Sequence, residues 1–304
     1  MIELTTIRAA TEGALMSDTP TLAPPPLAFP PLCPTITVAP TKVAAETWVI
    51  HQVQPALGAP LEVYLNSMVI RGAEPVIVDT GTPANRRQWL EDVFGIVEPD
   101  DVRWIFLSHD DVDHTGNLDE ALSMCPNAKV VCNWAMIERH TNCFEFPLDR
   151  CRWIVDGESF DVGDRTLHAI RPPVFDSPTT RGLYDPTTKV FWSVDTFATP
   201  LPDSSMAIAD LDPDFWAENL TLFALGAVSP WISMTDPVKY GRHVDKTQDL
   251  DITTIAACHS PVIEGPYIEQ AFAHIRRLPT VTAPDLPDQS ILDQIVAATA
   301  QPPA

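Results

Sequence analysis

Residues 104–117 read WIFLSHDDVDHTGN, an apolar run that ends in side chains able to bind a metal. His109, Asp110, Asp111, Asp113 and His114 crowd around the single Val112. At this density carboxylates and imidazoles repel or desolvate one another unless something cationic holds them. The spacing His109-x-Asp111-x-Asp113-His114 carries more information than the density. In an extended loop alternate side chains aim the same way, while the adjacent pair 113 and 114 splays towards two centres. That pattern suits two metals sharing one loop. An acidic turn capping the next helix accounts for one aspartate, not for two histidines flanking three of them.

Such a loop needs a rigid strand behind it. VRWIFLSH (102–109) has the apolar run of a buried strand, and NLDEALSMC (117–125) offers a short helix after the loop. Upstream, TWVIHQV, LEVYLNSMVIRG and PVIVDTG are short β-rich runs ended by Gly or Pro. ANRRQWLEDVFG places apolar residues at helical spacing, with Gly95 closing it. AKVVCN reads as another strand and WAMIERH as a helix. The second half repeats the alternation: RTLHAIRPP, KVFWSVDTFA and ITTIAACHS are strand-like, and DPDFWAENLTLFALG, PYIEQAFAHIRRL and DQSILDQIVAATA helical. Strands and helices mixed in both halves predict an α/β sandwich, not a bundle or an all-β barrel. Residues 17–41 are proline-rich and aperiodic, and predict an extended arm.

Composition narrows the partners. Hydrophobic residues make up 45% of the 304 and charged residues 20%, the balance of an ordinary globular protein. With 19 basic against 41 acidic side chains the formal charge is −22, a field that repels phosphate backbones and anionic membranes. The sequence has no apolar run of the roughly 18 residues that cross a bilayer and no secretory leader pattern, which predicts a cytoplasmic protein. None of the six cysteines forms a CxxC pair, so buried thiols are expected instead of disulfides or a zinc ribbon.

The loop resembles that of the metallo-β-lactamase superfamily, whose usual form is HxHxDH. Other marks of that superfamily lie in order along residues 47–278: YLNSMVIRG and VIVDTG upstream, SVDTF and CHSP downstream. The resemblance implies an α/β fold of the metallo-β-lactamase kind, a four-layer αβ/βα sandwich. It divides the chain into an arm (1–46), that domain (47–278) and a C-terminal helix and tail (279–304). Asp111 stands where the second histidine of HxHxDH falls, a substitution similar to the flavodiiron proteins, which place a carboxylate there, normally Glu, and bind two irons. Carried over position by position, the bridging aspartate falls on Asp195 and the last histidine on His259. The middle ligand, a histidine in the family, falls on Asp176. His168, eight residues earlier in a strand, is the alternative.

The implied set is His109, Asp111, Asp113, His114, Asp176, Asp195 and His259. Its four carboxylates match the charge of two divalent cations, and a carboxylate-rich, thiolate-free set suits two iron ions first, manganese second and zinc third. One metal would take His109, Asp111 and Asp176, and the other Asp113, His114 and His259, with Asp195 between them. Phe175 and Tyr184 could wall the pocket, and His51 could support a ligand from behind. The resemblance implies an O2- or NO-binding diiron protein acting as oxidoreductase, oxygenase or sensor. A dinuclear hydrolase of lactonase or esterase type is the alternative. About 26 residues follow Leu278 and none resembles a flavodoxin, so no flavin domain is expected here and electrons would come from a separate donor protein. A homodimer is a further expectation.

Overall fold

The computed structural model of the protein describes residues 36–56, 59–140, 144–283 and 285–299. The arm up to residue 35, Cys33, Cys143 and the QPPA tail lie outside the described residues. The strands are β1 (Thr41–Ala44), β2 (Thr47–Ile50), β3 (Val53–Pro55), β4 (Glu62–Tyr64), β5 (Ser67–Ile70), β6 (Val76–Val78), β7 (Trp104–Phe106), β8 (Lys129–Cys132), β9 (Cys151–Trp153), β10 (Ser159–Asp161), β11 (Thr166–Ile170), β12 (Gly182–Asp185), β13 (Val190–Trp192), β14 (Thr254–Ala256) and β15 (Ile263–Glu264). The helices are α1 (Arg86–Phe94), α2 (Val112–Thr115), α3 (Leu118–Met124), α4 (Trp134–His140), α5 (Pro213–Phe223), α6 (Pro237–Gln248), α7 (Pro266–Arg276) and α8 (Gln289–Thr299).

Two sheets carry the fold. One runs β1-β2-β5-β6-β7-β8-β9 and the other β10-β11-β12-β13-β14-β15, while β3 and β4 form a separate ribbon. The pleat sorts their residues onto opposite faces. Val49, Met68, Val76, Val78, Phe106 and Val131 of the first sheet pack against Leu167, Ala169, Leu183, Trp192 and Ala256 of the second. The residues between them, Ile50, Val69, Ile77, Ile105 and Val130, face the other way and pack with Trp89 and Val93 of α1, Leu118 and Leu122 of α3 and Met136 of α4. On the far side of the second sheet, Ile255 and Ile263 meet Trp216 and Leu220 of α5, Tyr240 and Val244 of α6 and Phe272 and Ile275 of α7. The layers are helix, sheet, sheet, helix: the α/β four-layer sandwich.

The parallel stretch of each sheet explains where chemistry can sit. β6, β7 and β8 pair in parallel, as do β13 and β14. Their carboxyl ends therefore open on common edges, and loops after such ends form crevices. The first sheet begins at Thr41, six residues before the point where the sequence turns strand-like; Thr41 and Lys42 pair with Val49 and Trp48. Helix α6 is the longest element the sequence concealed. PVKYGRHVDKTQ is polar overall, and only Tyr240, Val244 and Thr247 on one face are buried. Asp236 starts it by accepting from the backbone N–H groups of Val238 and Lys239.

Candidate metal centre

The strand that ends at Phe106 delivers Ser108 and His109 into a loop, and Asp111 begins the single turn of α2, which holds Asp113 and His114. From the second sheet, Asp195 follows β13 and His259 follows β14. Asp176 comes from the loop between β11 and β12. The structure brings all seven residues of the expected set together. His168 lies mid-strand, opposite Ser159 and Tyr184, and is not among them.

The seven fall into two groups joined by one carboxylate. His109 Nε2 is 3.6 Å from Asp111 Oδ2, 3.6 Å from Asp176 Oδ2 and 3.5 Å from Asp195 Oδ2. On the other side, His114 Nε2 is 3.5 Å from Asp113 Oδ2, and His259 Nε2 is 3.3 Å from that same oxygen. Both rings stand 3.3 Å from Asp195 Oδ1. Each oxygen of Asp195 thus serves one group.

These separations are too long for good hydrogen bonds, and His114 Nε2 and Asp195 Oδ1 are buried with no hydrogen-bond partner at all. Leaving such atoms unpaired is costly. Ligand atoms held about 2.1 Å from a shared ion stand roughly 3.0–3.4 Å apart, so the donor set fits two metal ions.

The chain holds the far nitrogen of each ring. His114 Nδ1 is 2.9 Å from Asp79 Oδ2, and His259 Nδ1 is 2.7 Å from the Tyr64 carbonyl oxygen. His109 Nδ1 lies 3.3 Å from the Ser108 hydroxyl. Such contacts orient a ring so that its other nitrogen meets the ion. Asp79 does more than hold one ring. It also accepts from the backbone N–H and hydroxyl of Ser108, both at 2.7 Å, and from the Trp192 indole at 3.0 Å.

Two of these supports adopt left-handed backbone. Asp79 has φ 59°, and Val194, the residue before Asp195, has φ 58°. Aspartate tolerates that region, but a β-branched residue pays for it, of the order of 1–3 kcal/mol. Strain of this kind beside Asp195 marks a site where position outweighs local comfort.

Asp110, one of the five loop residues, turns away from the cluster. It accepts from the hydroxyls of Ser177 (3.0 Å) and Thr179 (2.6 Å) and pairs with Arg139. The contact ties the metal loop to the loop that presents Asp176. His51 also stays behind the cluster. Its Nδ1 meets the Asn66 side-chain oxygen at 2.8 Å, and the Asn66 amide donates to the carbonyls of Ala257 and Ser260, either side of Cys258 and His259. Phe175 adjoins Asp176 and packs against Trp231. Tyr184 is not brought to the cluster. Its hydroxyl donates to the Asp251 carbonyl, before the start of β14, whereas His259 follows that strand's other end.

Cys258 enters the second group, its sulfur beside Asp113, His114 and His259. Its thiol donates to Asp113 Oδ2 at 3.8 Å, and the residue is fully buried between the sheets. The expected set contained no sulfur; adjacency to His259 was the only sequence signal for it. Of the other described cysteines, Cys125 and Cys132 are buried free thiols and Cys151 is a half-buried one.

Charge completes the picture. Burial pulls the imidazoles of His114 and His259 down, but their contacts with Cys258, Asp113 and Asp195 outweigh it, taking His259 up to about 10 and His114 well above the usual histidine range. Burial would raise Asp195, yet the three imidazoles around it hold it well below the usual carboxylate range. Burial raises Asp176, whereas the neighbouring His109 imidazole lowers Asp111. The imidazoles form a buried floor, and Asp111, with a side chain 51% exposed, stands at the mouth.

A family model described as ODP family beta lactamase matches residues 63–259, and the chain belongs to that family. Diflavin flavoprotein A 1 of Synechocystis sp. is 24% identical over 204 residues, covering 65% of this chain and 34% of the relative. The anaerobic nitric oxide reductase flavorubredoxin of Enterobacter sp. is 22% identical over 173 residues, covering 57% and 36%. The chain spans about a third of the length of these two relatives. Among solved structures, the flavodiiron protein from Giardia intestinalis superposes with a TM-score of 0.67 at 18% identity, covering 80% of this chain and 60% of its own. The rubredoxin oxygen:oxidoreductase of Desulfovibrio gigas gives 0.64 at 14%, covering 78% and 61%. The fold is that of the flavodiiron core.

Proposed function

We propose that this chain is a non-haem diiron protein that binds or activates O2 or NO at the cluster of His109, Asp111, Asp113, His114, Asp176, Asp195 and His259. The observation that carries the reading is Asp195, whose two oxygens each face one three-residue group while Oδ1 has no hydrogen-bond partner. Four carboxylates and three imidazoles, with the one Cys258 sulfur beside the second group, favour an intermediate ion, with iron first and manganese second. Bound as ferrous ions, the pair would supply electrons to O2 or NO.

The residues around the cluster have separate tasks in this reading. Asp79 and the Tyr64 carbonyl keep the Nε2 atoms of His114 and His259 turned inwards. The Asp110 contacts with Ser177 and Thr179 set the distance of Asp176 from the metal loop. Phe223 lies over the His259 ring, 5.2 Å between centroids, and shields that side from water. Exposed Asp111 leaves the entry for a small diatomic. Full reduction of O2 takes more electrons than two ferrous ions hold, so the reading includes a separate electron-donor protein, in the cytoplasm. Among the described residues no helix is long and apolar enough to cross a membrane.

Elemental mass spectrometry of protein produced with iron, manganese and zinc together tests the metal. About two irons per chain, with a spectrum that changes when the reduced protein meets O2 or NO, is the expected result. Two zincs that iron cannot displace would overturn it and direct the work to ester and lactone substrates. Asp111→Ala is expected to lower the metal content, and full occupancy in that variant would remove Asp111 from the set.

A further inference from the structure

A second cleft lies beside the cluster, between the loop after β11 and the start of α6. It encloses about 420 Å³, within the usual range for small-molecule sites. Pro173, Phe175, Trp231, Ile232 and Tyr240 give it apolar, largely aromatic walls, and Lys239 and His243 add polar ends. None of the seven cluster residues lines it, although Phe175 adjoins Asp176.

The charges around this cleft run against those of the chain. In a protein of net charge −22, seven of the described cations have a carboxylate at salt-bridge distance: Arg71, Arg86, Arg87, Arg139, Arg165, Lys189 and Arg276. Arg171, Arg181 and Lys239 are among the others; Lys239 lines the cleft and Arg171 adjoins its wall. The Arg171 guanidinium lies over the Phe175 ring, 5.2 Å from its centroid. Arg181 stands one step beyond the last β11–β12 pair, opposite Arg171. It is only 5% exposed, donates through Nη1 to the carbonyls of Pro178 and Thr180, and its Nε has no partner. Two carboxylates stand close by. Asp236, on the wall, is engaged by the first turn of α6, and Asp156 by the Arg171 backbone N–H. Lys239 on the wall, Arg171 over the Phe175 ring with Arg181 across from it in the strand pair, and the aromatic side chains form the recognition surface. Cations in a low-dielectric cleft focus their field on an anion, and aromatic faces accept a flat body.

We propose that this cleft binds a flat organic anion, an aromatic carboxylate, with its ring against Phe175 and Trp231 and its charge at Lys239 and Arg171, backed by Arg181. The site does not depend on the identity of the metal. The test is calorimetric titration of the metal-loaded full chain with 2-naphthoate and with its uncharged analogue 2-naphthalenemethanol. One naphthoate per chain is expected, with the alcohol at least about tenfold weaker, because charge-assisted hydrogen bonds to a carboxylate are roughly twice as strong as neutral ones. Lys239→Gln and Arg171→Gln, both at solvent-accessible positions, should each weaken naphthoate about fivefold or more without altering the alcohol. Trp231→Ala should weaken both. Equal affinity for acid and alcohol would overturn the proposal, as would indifference to Lys239→Gln and Arg171→Gln. So would naphthoate binding that disappears when a chelator removes the metal, since the acid would then be sitting on the ions.

Discussion

Asp79→Asn isolates the support beneath the metal loop. The backbone at Asp79 is left-handed, φ 59°, and asparagine tolerates that region as well as aspartate, so the substitution leaves the backbone where it is. What changes is the acceptor. The carboxylate takes four donors: the Ser108 N–H at Oδ1, and the Ser108 hydroxyl, His114 Nδ1 and the Trp192 indole at Oδ2. An amide nitrogen at Oδ1 strands the Ser108 N–H, and one at Oδ2 strands the indole and imidazole donors. Each buried donor left unpaired costs about 1–3 kcal/mol, and losing the charge weakens the bonds that remain. Asp79 and His114 are fully buried, so water cannot repair the loss. The expected destabilisation is about 2–4 kcal/mol, read from the urea midpoint of metal-free protein. Metal affinity, read by competition with a chelator, should fall about 10–100-fold because the His114 ring is no longer held. A midpoint unchanged within about 0.5 kcal/mol, with wild-type metal affinity, would refute the account of Asp79.

Two further outcomes follow from the same geometry. In the metal-free cluster the His114 and His259 imidazoles have raised pKa values, to about 10 for His259, so an incoming metal must displace their protons at neutral pH. Affinity should therefore rise with pH through the neutral range. Calorimetry in buffers of different ionisation enthalpy should count more than one proton released per chain at pH 7.5, and zero release would contradict the assignment. Gly116→Ala should disorder the metal loop, because a Cβ there would meet Pro83 and come within 2.5 Å of the Val112 carbonyl oxygen and 2.8 Å of that of Gly81. Backbone oxygens cannot rotate away, so a loss of about 1–3 kcal/mol and reduced metal content are expected. Unchanged thermal unfolding and metal content would show that the loop has room.

Much of the site was legible in the chain because its ligands follow strands, and strands announce themselves by apolar runs. WIFLSH, FWSVD and IAACH each end on a residue that the fold brings to the cluster, and the crowding of His109 to His114 has no economical reading without a cation. Helix α6 escaped because its buried face is only three residues wide, and β9, β10 and β12 because they are short and carry polar or charged residues.

The sequence by itself determined the chemistry of the donors and the α/β class. Those properties are local: residue type, spacing and period are written along one segment. The expected splay of Asp113 and His114 towards two centres does not occur, because the turn of α2 brings both to the second group and the loop divides between Asp111 and Asp113. Tertiary structure alone decided that each oxygen of Asp195 meets a different group, that Asp79 holds His114 from 35 residues away, and that Cys258 joins the second group. It also decided the strained backbone at Val194 and the placing of Lys239 beside Phe175, with Arg171 over the Phe175 ring, at one cleft. Contacts between residues distant in sequence depend on how two sheets pack and twist, and no single segment carries that information.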